Sequence, residues 1–466
     1  MKAASPLKGK FSTLRSNSPS TPRIAIADLA YTWATLAAVM LGFSTLIFAM
    51  NGCRPASRQP VTVTIVDPEW SQPDEMPRAE RESQEFTRET GILLDHLPVP
   101  ETSLGQLDLM RGLLRGGGPS PDVVGIDVIW PGLLSDYLVD LKPLFSTELS
   151  SLDPQLVASY TVDGKLVALP YHAHVGVLEY RTDLLRDYGY SHPPKTWNEL
   201  EQMAARIQAG ERAKGKKDFW GYVWQGAAAE GLTCNALEWQ VAEGGGRIIE
   251  SDKTISVNNP AAIRAWQRAA HWIGWISPPG VVAYRELDSM NVWDSGEAAF
   301  RRTWQWDYRL AHWQESAMPD KTGYTSMPGG PGGRVGTLGG IGLGITRFSA
   351  HPKEALKLVR FLVDRELQSK AASKSEKAPL QPEMYDLPLV ADPYTHPLPP
   401  DQQSGGLVSR PSNVTGQAYE NVTKAYLEAV HSVLLREKSA PAAAAELEKQ
   451  LVAITGFKTG PPKAAD

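Results

Sequence analysis

The sequence predicts an α/β protein whose ligand site lies where strands end. Strand-like and helix-like segments alternate as β-α-β-α-β over residues 61–129, an order that favours a parallel sheet covered by helices. Within this region, the unbroken apolar run Val123–Ile129 is typical of a strand buried on both faces. Asp127 and Trp130 lie at its carboxyl end, where open α/β sheets bind ligands. A second strand-rich region follows Pro170, so we expect the chain to cross between two α/β units there.

Local signals place the individual elements. Strands are predicted at residues 61–67, 92–97 and 123–129, from the Asp163-Gly164 turn to Pro170, and at residues 176–181 and 220–225. Helices are predicted at residues 77–90, 103–115, 231–241, 260–273, 352–363, 417–437 and 439–456. Thr196 opens a capping box for one further helix, Asp163-Gly164 is a hairpin signal, and Asn259-Pro260 supplies a cap and an N1 proline. We interpret the Gly-rich run 329–344 as a loop whose glycines let backbone approach a ligand closely.

Charge and cysteine content exclude two classes of protein. The 466-residue chain carries a formal net charge of −5, and residues 1–52 hold five basic residues and one acidic residue, which leaves −9 for the remainder. That balance offers no basic field for nucleic acid, so no such partner is expected. Two cysteines, Cys53 and Cys234, are too few for a disulfide scaffold. We expect most of the 14 tryptophans in the core and a minority at a ligand.

Residues 1–53 have the organisation of an export signal. A basic segment rich in Ser and Pro precedes 22 residues without charge, Leu29–Met50, and Gly52-Cys53 follows. A cysteine after glycine at this place resembles a bacterial lipoprotein signal, in which the cysteine is lipidated. An uncleaved membrane anchor is the alternative, because 22 uncharged residues can span a bilayer. Both interpretations place residues 54–466 outside the cytoplasm and tethered to the membrane.

Other chemical motifs in the sequence are incomplete. Residues 210–217 fit G-x-x-x-x-G-K but lack the following Ser or Thr and come after a helix, so we interpret them as a solvated basic turn. His172 and His174 alone do not complete a zinc site, no G-x-S-x-G occurs, and no metal or cofactor is predicted. The carboxylates that could form a glycosidase pair are Asp127, Glu230 and Glu238.

Five motifs occur in the order and spacing of one known family. They are PDVVGIDVIWPGLLSDYLVDL, DGKLVALPYHAHVGVLEYRTDLL, PPKTWNELEQMA, WGYVWQGAAAEGLTCNALEWQVAEGGG and LGGIGLGITR. Over about residues 60–455 the chain resembles the extracellular solute-binding proteins of family 1, which serve sugar ABC importers, and among them the trehalose/maltose binders. The resemblance implies the type II periplasmic-binding-protein fold. In it, two α/β lobes, each a mostly parallel sheet flanked by helices, close by a hinge around a ligand cleft.

The resemblance also implies lobe boundaries and ligand residues. Lobe one would comprise residues 60–169 and 330–377, lobe two residues 170–329 and 378–455, and residues 456–466 would be a flexible tail. The ligand residues carried over from the family are Asp127, His172, His174, Trp304, Trp306, Gly339, Gly340 and Arg410. Two further aromatic residues are predicted to contact the ligand. Trp130 lies at the end of the strand 123–129, and the Trp239 ring can cover a sugar face. Asp127 and Arg410 can bind pairs of hydroxyl groups in charge-assisted hydrogen bonds.

We therefore expect the substrate-binding component of an ABC carbohydrate importer, which binds a trehalose- or maltose-like disaccharide without catalysis. The expected partners are permease subunits and an ATPase encoded elsewhere, and we expect the protein to be a monomer. An extracytoplasmic carbohydrate-active enzyme and a sugar binder that feeds a membrane sensor are the alternatives. An enzyme would release monosaccharide from maltose or trehalose, and a sensor-linked binder would not co-purify with a permease.

Cys53→Ala is expected to leave the precursor without lipid, because the Cys53 thiol is the predicted acceptor. Metabolic labelling with a fatty-acid probe measures the modification. Cys234→Ala, which removes the other cysteine, is the control and should label normally. Normal labelling of the Cys53→Ala variant would exclude Cys53 as the acceptor.

Overall fold

The computed structural model describes most of the chain after residue 59. The described residues are 60–463 apart from residue 69 and the gaps 72–75, 101–102, 116–119, 147–148, 150–151, 153, 305–320 and 364–405. The predicted export signal with Cys53, and Trp306, therefore lie outside the described residues. Within these ranges, no helix has the length and hydropathy needed to cross a membrane.

The strands of the described residues are short except for two. They are β1 Thr62–Val66, β2 Leu93–His96, β3 Val123–Asp127, β4 Thr161–Val162, β5 Lys165–Leu166, β6 Leu169–Arg181, β7 Trp220–Val223, β8 Ala298–Trp304, β9 Thr322–Ser326, β10 Val335–Ile345 and β11 Gly406–Val408. β4 and β5 form a separate hairpin across Asp163 and Gly164, both with positive φ, as the Asp-Gly signal predicts.

The helices surround these strands. They are α1 Met76–Thr90, α2 Ser103–Arg115, α3 Pro131–Leu134, α4 Pro154–Ser159, α5 Thr182–Asp187, α6 Trp197–Ala213, α7 Glu230–Ala242, α8 Pro260–Trp272, α9 Glu286–Asp294, α10 Pro352–Val363, α11 Ser412–Thr415, α12 Tyr419–Leu434 and α13 Ala440–Thr455. The predicted capping box at Thr196 forms with Glu199, and Asn259 caps α8 by accepting from the amides of Ala261 and Ala262. Local capping signals therefore fixed these helix starts correctly.

One nine-stranded sheet forms the centre of the protein. Its order is β2-β1-β3-β10-β6-β8-β7, with β11 paired to β10 and β9 paired to β6. β1 is parallel to β2 and β3, and β7 is parallel to β8. β3, β10, β6 and β8 are antiparallel, each to the next. The α/β class is confirmed, and the sheet is mixed: parallel towards both ends and antiparallel across the middle.

Strand β6 is longer than the sequence predicted. Instead of ending near Pro170 and restarting at Gly176, one strand continues from Leu169 to Arg181. Its first half pairs with β10 and its second half with β8 and β9. His172 and His174 consequently occupy regular strand positions. Pairing on both sides of Tyr171, which the register skips, satisfies backbone hydrogen bonds that a break at the proline would leave open.

The interpretation of the Gly-rich run 329–344 as a loop is wrong for most of its length. Residues 335–345 form β10, which is buried at every position. Gly340 has φ +130°, and a Cβ on it would lie 2.1 Å from the His172 carbonyl oxygen, so only glycine fits there. The pairing with β6 shifts register between Ile341 and Gly342, which is typical of a bulge. Because its glycines have no side chains, neighbouring groups can pack closely against both faces of β10.

Two hydrophobic cores share the sheet. The first includes Val63, Phe86, Met110, Ile126 and Leu358. The second includes Trp197, Phe219, Trp266, Val430 and Leu447. β6 contributes Leu169 to the first core and Leu178 to the second. The lobe boundaries given above stay a prediction.

The chain after α13 is attached to the fold as far as Lys463. The amide of Ile255 donates to the Lys458 carbonyl, and the amide of Gly460 donates to the Ile255 carbonyl. The Lys463 ammonium lies 2.7 Å from Asp252. These contacts involve the described part of the segment 456–466, and the flexible tail stays a prediction.

A buried carboxylate near the end of α6 is held by ionic contacts. Glu211 is 2 % exposed and accepts hydrogen bonds from Lys214 Nζ at 2.8 Å, Lys216 Nζ at 2.6 Å and Tyr188 Oη at 3.0 Å. Burial raises the pKa of Glu211, but these three donors together outweigh burial and lower it to about 2. The carboxylate is therefore ionised in the folded protein over the whole physiological range.

Glu211→Gln is expected to destabilise the protein in a pH-dependent way. The pKa is about 2 in the folded state against an ordinary value of 4.5, so the ionised carboxylate stabilises the fold above pH 4.5 and loses this effect between pH 4.5 and 2. We expect the free energy of unfolding at pH 7 to fall by about 1–2 kcal/mol, a value reduced because the lysines are half exposed. Urea unfolding at pH 7, 4.5 and 3 measures the difference.

The difference from wild type should shrink towards pH 3. Glu446→Gln is the matched control, because its ion pair with Lys438 is exposed on both sides. It should change stability by less than about 0.5 kcal/mol. A Glu211→Gln difference that stays constant with pH would contradict the ionic explanation.

Candidate ligand-binding site

The site is assembled where β3, β10 and β6 lie side by side. Ile341 of β10 is opposite Asp127 on β3 and opposite His172 on β6. Two residues earlier in β10, Gly339 is opposite His174. The register of the sheet alone therefore places Asp127, His172 and His174 at neighbouring positions across β3, β10 and β6.

Trp304 lies across the same part of the sheet. It ends β8 opposite Gly176 of β6 and is partly exposed. A Cβ on Gly339 would lie 3.1 and 3.3 Å from two carbons of the Trp304 ring. Glycine at position 339 thus lets the indole lie directly against β10.

A buried arginine packs against the Trp304 ring. The guanidinium carbon of Arg302 is 4.1 Å from the ring centroid, a cation–π contact. Arg302 is fully buried and donates Nε and Nη2 to the two carboxylate oxygens of Glu238, at 3.2 and 2.6 Å. Glu238 Oε1 also accepts the backbone N–H of Thr337 in β10, at 3.0 Å. This ion pair fixes the Trp304 ring in place and ties α7 to β8 and β10.

Arg410 occupies the space between two carboxylates. Its Nη1 donates to Glu230 Oε1 at 3.0 Å, and its Nη2 donates to the Leu338 carbonyl at 3.3 Å. The same Nη2 lies 3.9 Å from Asp127 Oδ1, and the Arg410 side chain is only 5 % exposed. The segment before α11 is thereby tied to α7, to β10 and to the end of β3.

Two residues of α12 orient Glu230. The Tyr419 hydroxyl donates to Glu230 Oε1, and Thr423 Oγ1 donates to Oε2 at 2.8 Å. Tyr419 and Thr423 are one helical turn apart, so both can reach the same carboxylate. Burial raises the pKa of Tyr419 well above its ordinary value, which keeps the hydroxyl protonated as a donor.

One face of α7 supplies both carboxylates. Glu230, Cys234 and Glu238 follow each other at intervals of four residues and so lie on one side of the helix. Between the two acids, the Cys234 carbonyl accepts Thr337 Oγ1 at 3.0 Å. Burial raises the pKa of the Cys234 thiol to about 12, so it stays neutral. This face therefore neutralises Arg302 and Arg410 and contacts β10 between them.

Asp127 is a partly exposed acid of the site. Burial raises its pKa, while Arg410 and the Ile129 amide, which donates to Oδ1 at 3.1 Å, act in the opposite direction. The neighbouring Glu230 raises the pKa further. The side chain remains 24 % exposed. Asp127 can thus accept hydrogen bonds from a bound molecule on its exposed side.

The predicted ligand residues fall into two groups by exposure. Partly exposed side chains belong to Asp127, His174 and Trp304. Buried beside them are His172, Gly339, Gly340 and Arg410. These seven are brought together by β3, β10, β6, β8 and the segment before α11.

Trp130 and Trp239 lie in the hydrophobic cores. They are 1 % and 2 % exposed. Trp130 precedes the short helix α3, which turns the chain into the first core. The Trp239 ring meets Trp224 and Trp272 edge-on, with centroids 4.9 and 5.6 Å apart. Rings enclosed in this way offer no face to a ligand, so neither indole belongs to the proposed sugar site.

Local sequence patterns do not predict the role of Glu230 and indicate it only as a possible glycosidase carboxylate, as they do Asp127 and Glu238. The structure pairs Glu230 with Arg410 and Glu238 with Arg302. Their spacing on α7 was the available signal, because acids on a helix face turned to the core need partners. Among the described residues, no group of three or more His, Cys, Asp or Glu side chains could hold a metal ion.

Comparison with known proteins identifies the family. The profile of bacterial extracellular solute-binding proteins matches residues 71–369. The chain belongs to this family. A probable ABC transporter-binding protein of Deinococcus radiodurans is 42 % identical to this solute-binding protein over 377 residues, which cover 80 % of this chain and 89 % of the relative.

Solved structures confirm the fold of this solute-binding protein. Maltose-bound MalE3 of T. maritima is 32 % identical and has a TM-score of 0.75, covering 84 % of this chain and all of its own. The GacH receptor of Streptomyces glaucescens, solved unliganded and with acarbose, has a TM-score of 0.73 at 21 % identity and covers 86 % of this chain and all of its own. At that identity the likeness to GacH concerns the fold alone. The protein has the type II periplasmic-binding-protein fold.

Glu238→Gln is expected to lower the free energy of unfolding by about 3–5 kcal/mol, because it leaves the buried Arg302 charge without its carboxylate. The double variant Glu238→Met, Arg302→Met removes both charges and should recover most of that loss. Urea unfolding measures both variants. Glu428→Gln, whose contact with Lys424 is exposed, is the control and should change stability by less than about 0.5 kcal/mol. A loss below 1 kcal/mol for Glu238→Gln would contradict the buried pair.

Proposed function

We propose that this solute-binding protein is the substrate-binding component of an ABC-type carbohydrate importer. The relative named as an ABC transporter-binding protein and the likeness to a maltose-bound structure support this class. Its partners would be permease subunits and an ATPase encoded elsewhere. It would act outside the cytoplasm as a monomer, tethered by lipidated Cys53 or by an uncleaved N-terminal helix.

The combination of Trp304 with Asp127 carries the sugar proposal. A sugar presents C–H faces and hydroxyl edges together, so its site needs an aromatic ring beside fixed polar groups. Trp304 offers the partly exposed ring, held against β10 by Arg302. Asp127 offers a partly exposed carboxylate on β3, and His174 lies on β6, the strand that pairs with the β8 strand of Trp304. A trehalose- or maltose-like disaccharide would be bound between the lobes and enclosed by hinge closure.

A carbohydrate-active enzyme is the second candidate function, because Asp127 and Glu230 place two carboxylates at one site. A glycosidase needs its two carboxyl groups on opposite sides of the scissile bond. Here both approach the same guanidinium, and Glu230 is occupied by Tyr419 and Thr423. We therefore favour binding without catalysis. Glucose released from maltose or trehalose, and lost on Asp127→Asn, would establish the enzyme instead; failure to co-purify with any permease would favour a sensor-linked binder.

Maltose or trehalose is expected to raise the melting temperature, because a ligand that binds only the native state stabilises it. At a ligand concentration 100 times Kd the stabilisation is about 2.7 kcal/mol. Trp304→Ala should weaken binding at least about tenfold, or about 1.4 kcal/mol, since tryptophan is among the residues whose truncation costs most binding energy. Thermal shift and calorimetry measure both effects.

Trp275→Ala is the matched control, because Trp275 is 38 % exposed, follows α8 and lies beside His271, with ring centroids 4.9 Å apart. It should keep the wild-type response to sugar. If Trp304→Ala responds to sugar as strongly as Trp275→Ala, the stacking ring is elsewhere.

A further inference from the structure

Two guanidinium groups contact the proposed sugar site, and each is matched by its own carboxylate. Arg302 lies against Trp304 and is paired with Glu238 at 2.6 Å. Arg410 lies near Asp127 and is paired with Glu230 at 3.0 Å. Both carboxylates come from the same face of α7. The positive charges next to the site are thus compensated before any ligand arrives.

Compensation of Arg410 matters because an arginine in a ligand cleft is ordinarily a receptor for carboxylate. Its planar fork of N–H donors matches two carboxylate oxygens at once. In this protein Nη1 donates a hydrogen bond to Glu230, Nη2 donates to the Leu338 carbonyl, and Nε is fully buried. Because the Arg410 side chain is also only 5 % exposed, little of its guanidinium is presented to a ligand while Glu230 stays in place.

Asp127 adds a second reason for the site to reject anions. Its carboxylate is 24 % exposed and lies 3.9 Å from Arg410, which is already paired with Glu230. A ligand carboxylate beside Asp127 would meet a like charge, and like charges across an interface cost several kcal/mol. A neutral sugar can instead donate its hydroxyl hydrogens to Asp127.

We infer that Glu230 is a specificity-determining residue that makes the cleft select neutral over carboxylated sugars by neutralising Arg410. The inference rests on the proposed sugar-binding function. Glu230 acts through Arg410 and is a positioning residue, whose carboxylate accepts hydrogen bonds from Tyr419 and Thr423. In Glu230→Gln the neutral amide no longer compensates the Arg410 charge, so a carboxylate of the ligand can pair with Arg410 instead.

The experiment compares two ligands that differ in one group. Maltitol and maltobionate share a glucosyl unit and an open-chain end, but maltobionate carries a carboxylate where maltitol carries a hydroxymethyl group. Calorimetry at pH 7 and 0.15 M salt gives the ratio of Kd for maltobionate to Kd for maltitol. A general loss of affinity in a variant cancels in this ratio. We expect a ratio of at least about ten for wild type and a ratio lowered at least tenfold in Glu230→Gln.

Glu420→Gln is the matched control. It makes the same change of net charge on the same helix as Tyr419, but Glu420 pairs with Arg111 and not with Arg410. Its ratio should stay at the wild-type value. Tyr419→Phe removes one hydrogen bond to Glu230 and keeps the charge, so its ratio should also stay high. This second variant and the wild-type ratio test the inference even if Glu230→Gln does not fold.

Each remaining outcome counts against the inference. A wild-type ratio near one, or an unchanged ratio in Glu230→Gln, would overturn it. If the Kd ratio fell equally in Glu420→Gln, the change in selectivity would come from net charge. If the ratio fell in Tyr419→Phe, the change would come from the position of α12. If wild type binds none of maltose, trehalose and maltitol, the proposed function fails and the inference fails with it. If wild type binds neutral sugars but the Kd ratio is unchanged in Glu230→Gln, the inference alone is overturned.

Discussion

The site depends on the electrostatic neutralisation of two buried arginines by one helix face. A buried charge without a partner costs several kcal/mol, so Arg302 and Arg410 can remain in the interior only because Glu238 and Glu230 accompany them. The two pairs also connect α7 with β8, β10 and the segment before α11. The aromatic and the polar halves of the site are therefore positioned by the same helix, and their relative geometry does not rely on loops.

Strand β10 provides the second constraint, which is steric. It lies between β3 and β6, and its glycines replace side chains where other groups need the space. The Trp304 ring takes the place of a side chain at Gly339, and the His172 carbonyl approaches Gly340. The ligand residues can thus converge from neighbouring strands at distances that ordinary side chains on β10 would prevent.

Periodicity and capping signals predicted most helices and the outer strands, because these depend on local sequence. They failed at β10, where glycines lower strand propensity but pairing on both sides imposes an extended backbone. They failed at β6 because Pro170 and two histidines are typical of a break, although the ladder continues through them. Pairing of Glu230 with Arg410, 180 residues apart in the chain, was invisible to local patterns. The enclosed positions of Trp130 and Trp239 likewise follow from packing of distant segments.

The continuity of β6 has a thermodynamic consequence for recognition. His172 and His174 belong to a backbone that is already hydrogen-bonded to β10, and Trp304 belongs to the neighbouring strand. At these three residues a ligand orders little additional main chain, so its affinity is not reduced there by the conformational entropy that a flexible loop would lose on binding. Selectivity in such a rigid frame comes from the exact atoms offered by a few side chains, and substitution of one of them can change ligand preference while the backbone stays as it is.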